Sequence, residues 1–171
     1  MDQLQDAAKK LETTGAAIAN LLSDMTDEQA SFRPALGSWS ALEVLNHLYD
    51  EEREDFRQRL DLTLHSPGQE FPPIDPEGWV TTRSYNTREL HESLERFRQE
   101  REQSITWLQS LRDPDLTLVC SHKGLQGLRA GDLLVSWVAH DLLHLRQLIE
   151  LRWQYLGTTS SPFRLDYAGE W

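Results

Sequence analysis

Apolar residues recur every three or four positions in four long segments of the chain, which is the spacing of one face of an α-helix. These segments cover about residues 2–25, 40–64, 87–111 and 130–156. The first segment is expected to bend near Gly15, because glycine weakens the interior of a helix. The pattern therefore predicts four long helices.

Local signals define several helix ends. Ser40 and Glu43 have the spacing of a capping box, in which each side chain satisfies a backbone donor left free at the helix start. Asn86 with Glu89 is interpreted as the start of the third helix. Gly157 is interpreted as the residue that ends the fourth helix, since glycine readily adopts the left-handed conformation found there.

An acidic run occupies the middle of the second helix. Its members are Asp50, Glu51, Glu52, Glu54 and Asp55. A run of like charges is usually a solvated helix face, so these side chains are expected to remain mostly in water.

The connection over residues 66–86 is rich in proline and glycine, and no regular structure is expected there. Connections of this length often serve as lids or binding loops. Its apolar residues Phe71, Ile74 and Trp79 would then cover a pocket. The alternative, which we favour slightly, is a packed crossover between helices.

Two further segments carry short-range signals. Leu116–Val119 has β character and precedes glycines 124 and 127, so a small β-hairpin is predicted before the last helix. The tail over residues 158–171 contains Phe163, Leu165, Tyr167 and Trp171. So many apolar side chains would not normally stay together in water, so the tail is expected to pack on the helices or on a partner subunit.

Composition indicates one soluble domain over residues 1–171. The hydrophobic content of 39% and the charged content of 26% are ordinary, and we find no repeat or second domain. No membrane span or signal peptide is evident, so the cytosol is the expected location. The net charge of −11 argues against nucleic acid as a partner. The single cysteine, Cys120, is interpreted as a small buried hydrophobe rather than a reactive thiol.

The last helix places two histidines within an apolar stripe. The stripe consists of Leu133, Trp137, His140, His144, Leu148, Leu151 and Tyr155. A wider apolar arc is completed by Leu134, Val138, Leu142, Leu145 and Ile149. His140 and His144 lie one turn apart, so both imidazoles can reach one metal ion. Taken alone, such a pair is more often a pair of satisfied core residues.

A metal site needs a third ligand, and His47 has the best setting. It lies just off the flank of the apolar arc of the second helix, at the same kind of border as the other pair. The remaining histidines, His65, His91 and His122, lie at a helix stop, in a first turn and in a glycine-rich loop. A site shared between two packed helices is therefore the leading hypothesis.

These residues resemble the DinB superfamily, also called DinB/YfiT-like proteins. The resemblance is carried by Trp39-Ser40 at a helix start, His47-Leu48 followed by Asp50 and Glu51, and His140-x-x-x-His144-x-x-Gln147. It implies an all-α antiparallel four-helix bundle with long crossover loops. It also implies a divalent metal on His47, His140 and His144 with water completing the site, and frequent homodimers. Family activities include S-transfer with low-molecular-weight thiols such as bacillithiol or mycothiol, and isomerisation of maleylpyruvate.

Three imidazole ligands narrow the choice of metal ion but do not determine it. Zinc or nickel is favoured, with iron or manganese as alternatives. Neutral ligands leave the charge of the ion uncompensated, which favours activation of water or a thiol. Glu51 lies one turn after His47 and is the candidate for orienting a ligand or accepting a proton; the alternative is a solvated side chain.

The predicted function is metal-dependent attack of a thiol or water on a small-molecule electrophile, as in S-transfer or hydrolysis. Two alternatives remain: a non-catalytic, stress-related bundle in which the ion is structural, and an apolar bundle with no ion. Protease, phosphate-loop and nucleophile-elbow motifs do not occur in the sequence.

Overall fold

The computed structural model describes residues 3–169. Its helices are α1 (Gln3–Leu22), α2 (Asp27–Ser31), α3 (Ala41–Glu51), α4 (Arg57–His65), α5 (Pro76–Thr82), α6 (Leu90–Ser110) and α7 (Ala130–Thr159). A π-helical turn, Glu52–Phe56, joins α3 to α4, and short 3₁₀ turns cover Tyr85–Thr87 and Asp166–Ala168.

Four long elements form the bundle: α1, the combined α3–α4 element, α6 and α7. Helix α1 packs against α6 and α7, and α3 packs against the same two helices. The predicted all-α four-helix bundle is confirmed. Within residues 3–169 no helix is both long and apolar enough to cross a membrane.

The start of α3 follows the predicted capping box. The Glu43 backbone N–H donates to Ser40 Oγ at 3.1 Å, and the Ser40 N–H donates to Glu43 Oε2 at 2.8 Å. Two reciprocal bonds thus fix the entry of the helix that carries His47.

The predicted start of α6 is wrong. The helix begins at Leu90, and Glu89 precedes it without a side-chain capping bond. Asn86 instead bridges two other segments, since its Oδ1 accepts from Ser40 Oγ at 2.5 Å and its Nδ2 donates to the Ser31 carbonyl at 3.2 Å. A long-range partner therefore replaces the local cap.

The predicted end of α7 is also wrong, because the helix continues through Gly157 to Thr159. The structure has no break at Gly15, where a bend was predicted, because α1 is one continuous helix over Gln3–Leu22. A Cβ on Gly15 would lie 3.0 Å from Arg101 Nη1. The glycine therefore makes room for an arginine from α6.

The crossover over residues 66–86 contains more regular structure than predicted. Asp75 caps α5 by accepting from the Gly78 N–H at 3.1 Å, and Pro76 occupies the first helical turn. Phe71 and Tyr85 are buried. The segment packs against α3 rather than standing free, and proline begins a helix here instead of preventing one.

The predicted hairpin is reduced to one bridge, between Val119 and Arg129, and no strand forms within residues 3–169. Backbone bonds still pair the two segments, for example from the Cys120 N–H to the Leu128 carbonyl at 2.9 Å. The paired stretches are too short for a ladder because α7 begins at Ala130.

Over the described residues most of the tail's apolar side chains do not pack on the helices of their own chain, and packing on a partner subunit stays a prediction. Phe163 is 81% exposed and Tyr167 is 103% exposed, while Leu165 is half-buried near Gly157. Trp171 lies outside the described residues. The short 3₁₀ turn at Asp166–Ala168 thus presents aromatic side chains to solvent.

Two apolar clusters fill the bundle. The first contains Ile18, Leu22, Leu45, Leu48, Phe97 and Leu148 among others. The second contains Leu11, Leu60, Leu108, Leu134 and Trp137 among others. On each long helix the stretch between the two clusters carries polar side chains. The molecule therefore has a polar layer across its middle, and the histidines belong to it.

The buried stripe of α7 follows the prediction, but the wider arc does so only in part: Leu134 is buried and Val138 and Leu145 pack against the core, while Leu142 and Ile149 do not. Trp137 and Leu148 are almost fully buried, whereas Leu142 is 53% exposed and Ile149 is 40% exposed. The apolar surface of α7 extends beyond the area that the other helices cover. Its outer flank is left facing solvent.

Candidate metal centre

Three histidine side chains from two helices converge on one point. His47 comes from the middle of α3, and His140 and His144 come from successive turns of α7. The Nε2 atom of His140 lies 3.4 Å from that of His47 and 3.1 Å from that of His144. The three candidate ligand atoms all lie within 4.8 Å of one another.

These separations fit a common ion. Zinc–nitrogen bonds of about 2.0–2.1 Å in tetrahedral geometry place two ligand nitrogens about 3.3 Å apart. The separations of 3.4 and 3.1 Å bracket that distance. The His140 Nε2 atom therefore lies at a distance from each of the other two Nε2 atoms that suits a common divalent ion, which makes the triad a candidate metal site.

The imidazoles are held in the neutral form that binds metal. Burial lowers the pKa of His47 and of His140 to about 3, and the neighbouring His144 lowers both further in the same direction. Burial also lowers the pKa of His144. All three rings are therefore uncharged at neutral pH.

The tautomer of His144 is fixed by Gln147, one turn further along α7. His144 Nδ1 lies 2.8 Å from Gln147 Oε1, so Nδ1 carries the proton and donates it to this oxygen. The lone pair of His144 then lies on Nε2, which faces the other two rings. The Nδ1 atom of His47 is buried and has no hydrogen-bond partner within residues 3–169.

Aromatic side chains form the walls. Trp39, immediately before the capping box, stacks on His144 at 6.4 Å between ring centroids and contacts His47 at 4.9 Å. Phe56, in the π-helical turn, contacts His140 at 5.0 Å and stacks on Trp137 at 6.0 Å. These rings limit access of water to the triad from two sides.

A cavity of about 420 Å³ reaches the triad at His144. Its polar walls include Ser38, Trp39, Gln147, Glu150 and Gln154. No residue of the 66–86 crossover lines this cavity. The predicted lid residues Phe71 and Trp79 therefore lie elsewhere, Phe71 in the second apolar cluster and Trp79 beneath the Arg83 guanidinium.

Glu51 is buried rather than solvated, with 5% of its surface exposed. Burial, followed by the adjacent charge of Asp55, raises the pKa of Glu51 to about 8. One carboxyl oxygen, Oε1, has no hydrogen-bond partner in the described part of the chain. Since His47 Nδ1 also lacks a partner, Glu51 does not orient this ring, and its catalytic role remains a prediction.

The expectation that the acidic run lies in water is wrong. Asp50, Glu51, Glu52 and Asp55 are all buried. Arginines from several segments compensate most of this charge: Arg83 pairs with Asp50 at 2.7 Å, Arg101 with Glu52 at 2.7 Å and Arg59 with Asp55 at 2.7 Å. The run is a set of inter-element contacts rather than a solvated face.

A buried network beside the triad was not predicted. Arg101 of α6 donates to both carboxyl oxygens of Asp141 at 2.6 and 2.9 Å, to Glu52 at 2.7 and 2.9 Å, and to the Leu11 carbonyl at 2.7 Å. Thr14 donates to Asp141 at 2.5 Å. The Arg101 network thus joins α1, α6, α7 and the π-helical turn next to His140.

One sequence signal pointed to this network. Arg101 lies on the same helical face as Phe97, Ser104 and Leu108, where a cation is unexpected unless it is paired. Its partners come from positions 40 and 49 residues away, which no local pattern reveals.

The fold is thus a four-helix bundle in which histidines from two helices form a candidate metal site. The sequence profile of the DinB superfamily matches residues 10–148 of the chain. The protein belongs to the DinB superfamily, and the resemblance noted in its motifs is confirmed.

Among solved structures, the chain is similar to YfiT from Bacillus subtilis. The match covers 89% of this chain and 87% of that one, with a TM-score of 0.77 and 21% sequence identity. YfiT is described as a probable metal-dependent hydrolase with an unusual four-helix bundle topology. At this identity the similarity establishes the fold. No curated protein matches the sequence.

Proposed function

We propose that the protein is a metal-dependent enzyme in which His47, His140 and His144 hold one divalent ion. The observation that carries this proposal is the convergence of three neutral imidazoles: His140 Nε2 lies 3.4 Å from that of His47 and 3.1 Å from that of His144, and the three candidate ligand atoms lie within 4.8 Å of one another. Zinc and nickel suit a set of nitrogen ligands best, and iron or manganese would be weaker fits. Such an ion lowers the pKa of a bound water or thiol and supplies a nucleophile at neutral pH.

The surrounding residues suit attack on a small electrophile. Gln147 keeps the lone pair of His144 directed to the triad. Trp39 and Phe56 exclude water from two sides, and the adjoining cavity of about 420 Å³ has the size of a small-molecule site. Hydrolysis is supported by the description of YfiT as a probable metal-dependent hydrolase. S-transfer with a low-molecular-weight thiol is the second reaction that we propose to test.

Glu51 is proposed as the group that exchanges a proton with the reacting species. With a pKa of about 8 it is mostly protonated at neutral pH, so it donates a proton there and accepts one at higher pH. Its unpartnered Oε1 leaves this oxygen available for such an exchange.

The alternative is a bundle in which the ion is only structural, and one set of measurements separates the two. Parent protein and His144→Ala are compared for metal content, melting temperature and turnover with a panel of thiols, esters and other electrophiles. Loss of metal and turnover with little change in melting temperature supports the enzyme. A large fall in melting temperature, together with a parent that turns nothing over, supports the structural role.

We also propose that the chain forms a homodimer through the outward flank of α7. Val135, Leu142, Ile149 and Leu156 recur there every seven residues and are 69%, 53%, 40% and 48% exposed. A seven-residue apolar repeat is the pattern of two helices packed side by side, and 21 residues span about 32 Å. Because the same stripe on a second copy is complementary to it, a second copy is the occupant that fits.

Sedimentation analysis tests the dimer. The parent is expected to sediment as a dimer at micromolar concentration and Leu142→Glu as a monomer. The control is Leu36→Glu, which alters an apolar side chain of 107% exposure outside this stripe and is expected to remain dimeric. A parent that stays monomeric, or dimers of equal stability in both variants, would contradict the assignment.

A further inference from the structure

The cavity beside His144 is rich in hydrogen-bond acceptors. Its polar walls include the Glu150 carboxylate, and Gln154 Nε2 donates to Glu150 Oε1 at 3.0 Å. This bond holds the carboxylate in a defined orientation, although Glu150 itself is exposed. We refer to this cavity as the acceptor pocket.

The acceptor pocket has no cation to match an anionic ligand. No lysine or arginine lines it in the structure of residues 3–169. Two arginines of nearby segments already have carboxylate partners: Arg33 is paired with Glu43, and Arg152 is paired with Asp24 at 2.6 Å. The pocket is therefore negative.

The net charge of the whole chain also favours a cationic ligand over an anionic one. A net charge of −11 attracts cations to the surface and repels anions, an effect that is independent of Glu150. The occupied triad would be the exception, because neutral imidazoles leave the ion's charge uncompensated. A ligand that is negative or electron-rich at one end and positive at the other matches both regions.

The two ends of the acceptor pocket are carried by one helix. His144 and Glu150 are six residues apart on α7, which separates them by about 9 Å along the helix axis and by about 120° around it. Trp39 lies over His144 at one end, and Gln154 holds Glu150 at the other. The cavity of about 420 Å³ is large enough for a short chain between them.

We propose that the acceptor pocket selects small molecules that carry a protonated amine at the end remote from the atom that meets the triad. This inference rests on the proposed metal-dependent function and specifies its substrate class. An ammonium group at Glu150 replaces part of its hydration with a charge-assisted bond. An exposed ion pair contributes modestly, so the expected preference over an uncharged analogue is about twofold to fivefold.

The test uses cobalt-loaded protein and three series of short alkanethiols that end in ammonium, hydroxyl or carboxylate. Binding is followed by the absorption band that a thiolate produces on cobalt, which does not require turnover. Affinity is expected to decrease from ammonium to hydroxyl to carboxylate, with the ammonium preference greatest at the chain length that lets the ammonium group reach Glu150.

Glu150→Gln is the diagnostic variant, and it is expected to remove the ammonium preference while leaving hydroxyl-ended thiols unchanged. Glu102→Gln, an exposed position on α6, alters the net charge equally and is expected to retain the preference. The inference is wrong if the ammonium, hydroxyl and carboxylate thiols bind with equal affinity, or if Glu150→Gln retains the preference for ammonium. Either result would leave the proposed metal site intact. If no thiol produces the band, metal-dependent thiol activation itself is contradicted.

Discussion

Replacing Arg101 by methionine tests the polar layer beside the triad. The change removes the cation shared by Glu52 and Asp141, both 1% exposed, and removes the side-chain donor to the Leu11 carbonyl. Removing one partner of a buried ion pair typically costs about 3–5 kcal/mol, because the remaining charge stays out of water.

The loss should depend on pH. Burial already raises the pKa of Glu52, with Arg101 the largest opposing influence. Without Arg101 that pKa rises further, so the folded variant holds a proton that the unfolded chain has released. A raised pKa of an acid means that stability is lost as pH rises, so Arg101→Met should be less stable at pH 8 than at pH 5.5 relative to the parent.

Denaturant unfolding of both proteins at the two pH values measures this effect. Arg96→Met is the matched control on the same helix, since Arg96 forms an exposed pair with Glu92 at 3.5 Å and is expected to cost less than about 1 kcal/mol. A triple change of Arg101→Met, Glu52→Gln and Asp141→Asn should recover part of the loss. A cost for Arg101→Met no greater than that of the control would refute the reasoning.

Three further predictions concern single positions. Ionisation of Glu51 costs stability as pH rises above 4.5, because its pKa in the folded protein is about 8. Glu51→Gln should therefore stabilise the protein more at pH 9 than at pH 6, and the difference should be about 2–4 kcal/mol. Equal stabilisation at the two pH values would argue against a buried acid. Gly157→Ala should stabilise the chain by about 0.5–1 kcal/mol, since Gly157 lies inside α7 with ample room. Gly15→Ala should destabilise it, since the new Cβ would lie 3.0 Å from Arg101 Nη1. Thermal unfolding that gave both glycine variants the same sign would contradict this account.

Periodicity and local capping explain what was predictable. The face of a helix follows from residue spacing, so His140 and His144, both half-buried, were assigned correctly to the inward stripe of α7. The capping box at Ser40 and Glu43 needs only residues three apart. His47 was identified because its border position on a second helix matched that of the first pair.

The acidic run shows where local reasoning fails. Glu52 and Asp50 look solvated from their neighbours in sequence, but Arg101 and Arg83 reach them from other elements. The π-helical turn at Glu52–Phe56 adds a second complication, since its wider winding changes which side chains face inward. Burial at these positions is decided by tertiary pairing.

Helix ends that depend on distant contacts were equally hidden. Glycine is a residue type that often ends a helix, but α7 continues past Gly157. Asparagine is a residue type that often caps a helix, but the side chain of Asn86 forms its hydrogen bonds with Ser40 and Ser31. In both places a local preference of about 1 kcal/mol is overridden by the packing of whole elements.

The central claim is that three imidazoles bind one divalent ion. Elemental analysis of protein purified without an affinity tag, followed by zinc titration of the stripped chain, tests it most directly. We expect one ion per chain. Each of His47→Gln, His140→Gln and His144→Gln should lose affinity for zinc by at least tenfold. The control, His91→Gln, changes a side chain on the exposed face of α6 and should bind zinc as the parent does. A parent that binds no ion, or a His47→Gln variant that binds as tightly as the parent, would contradict it.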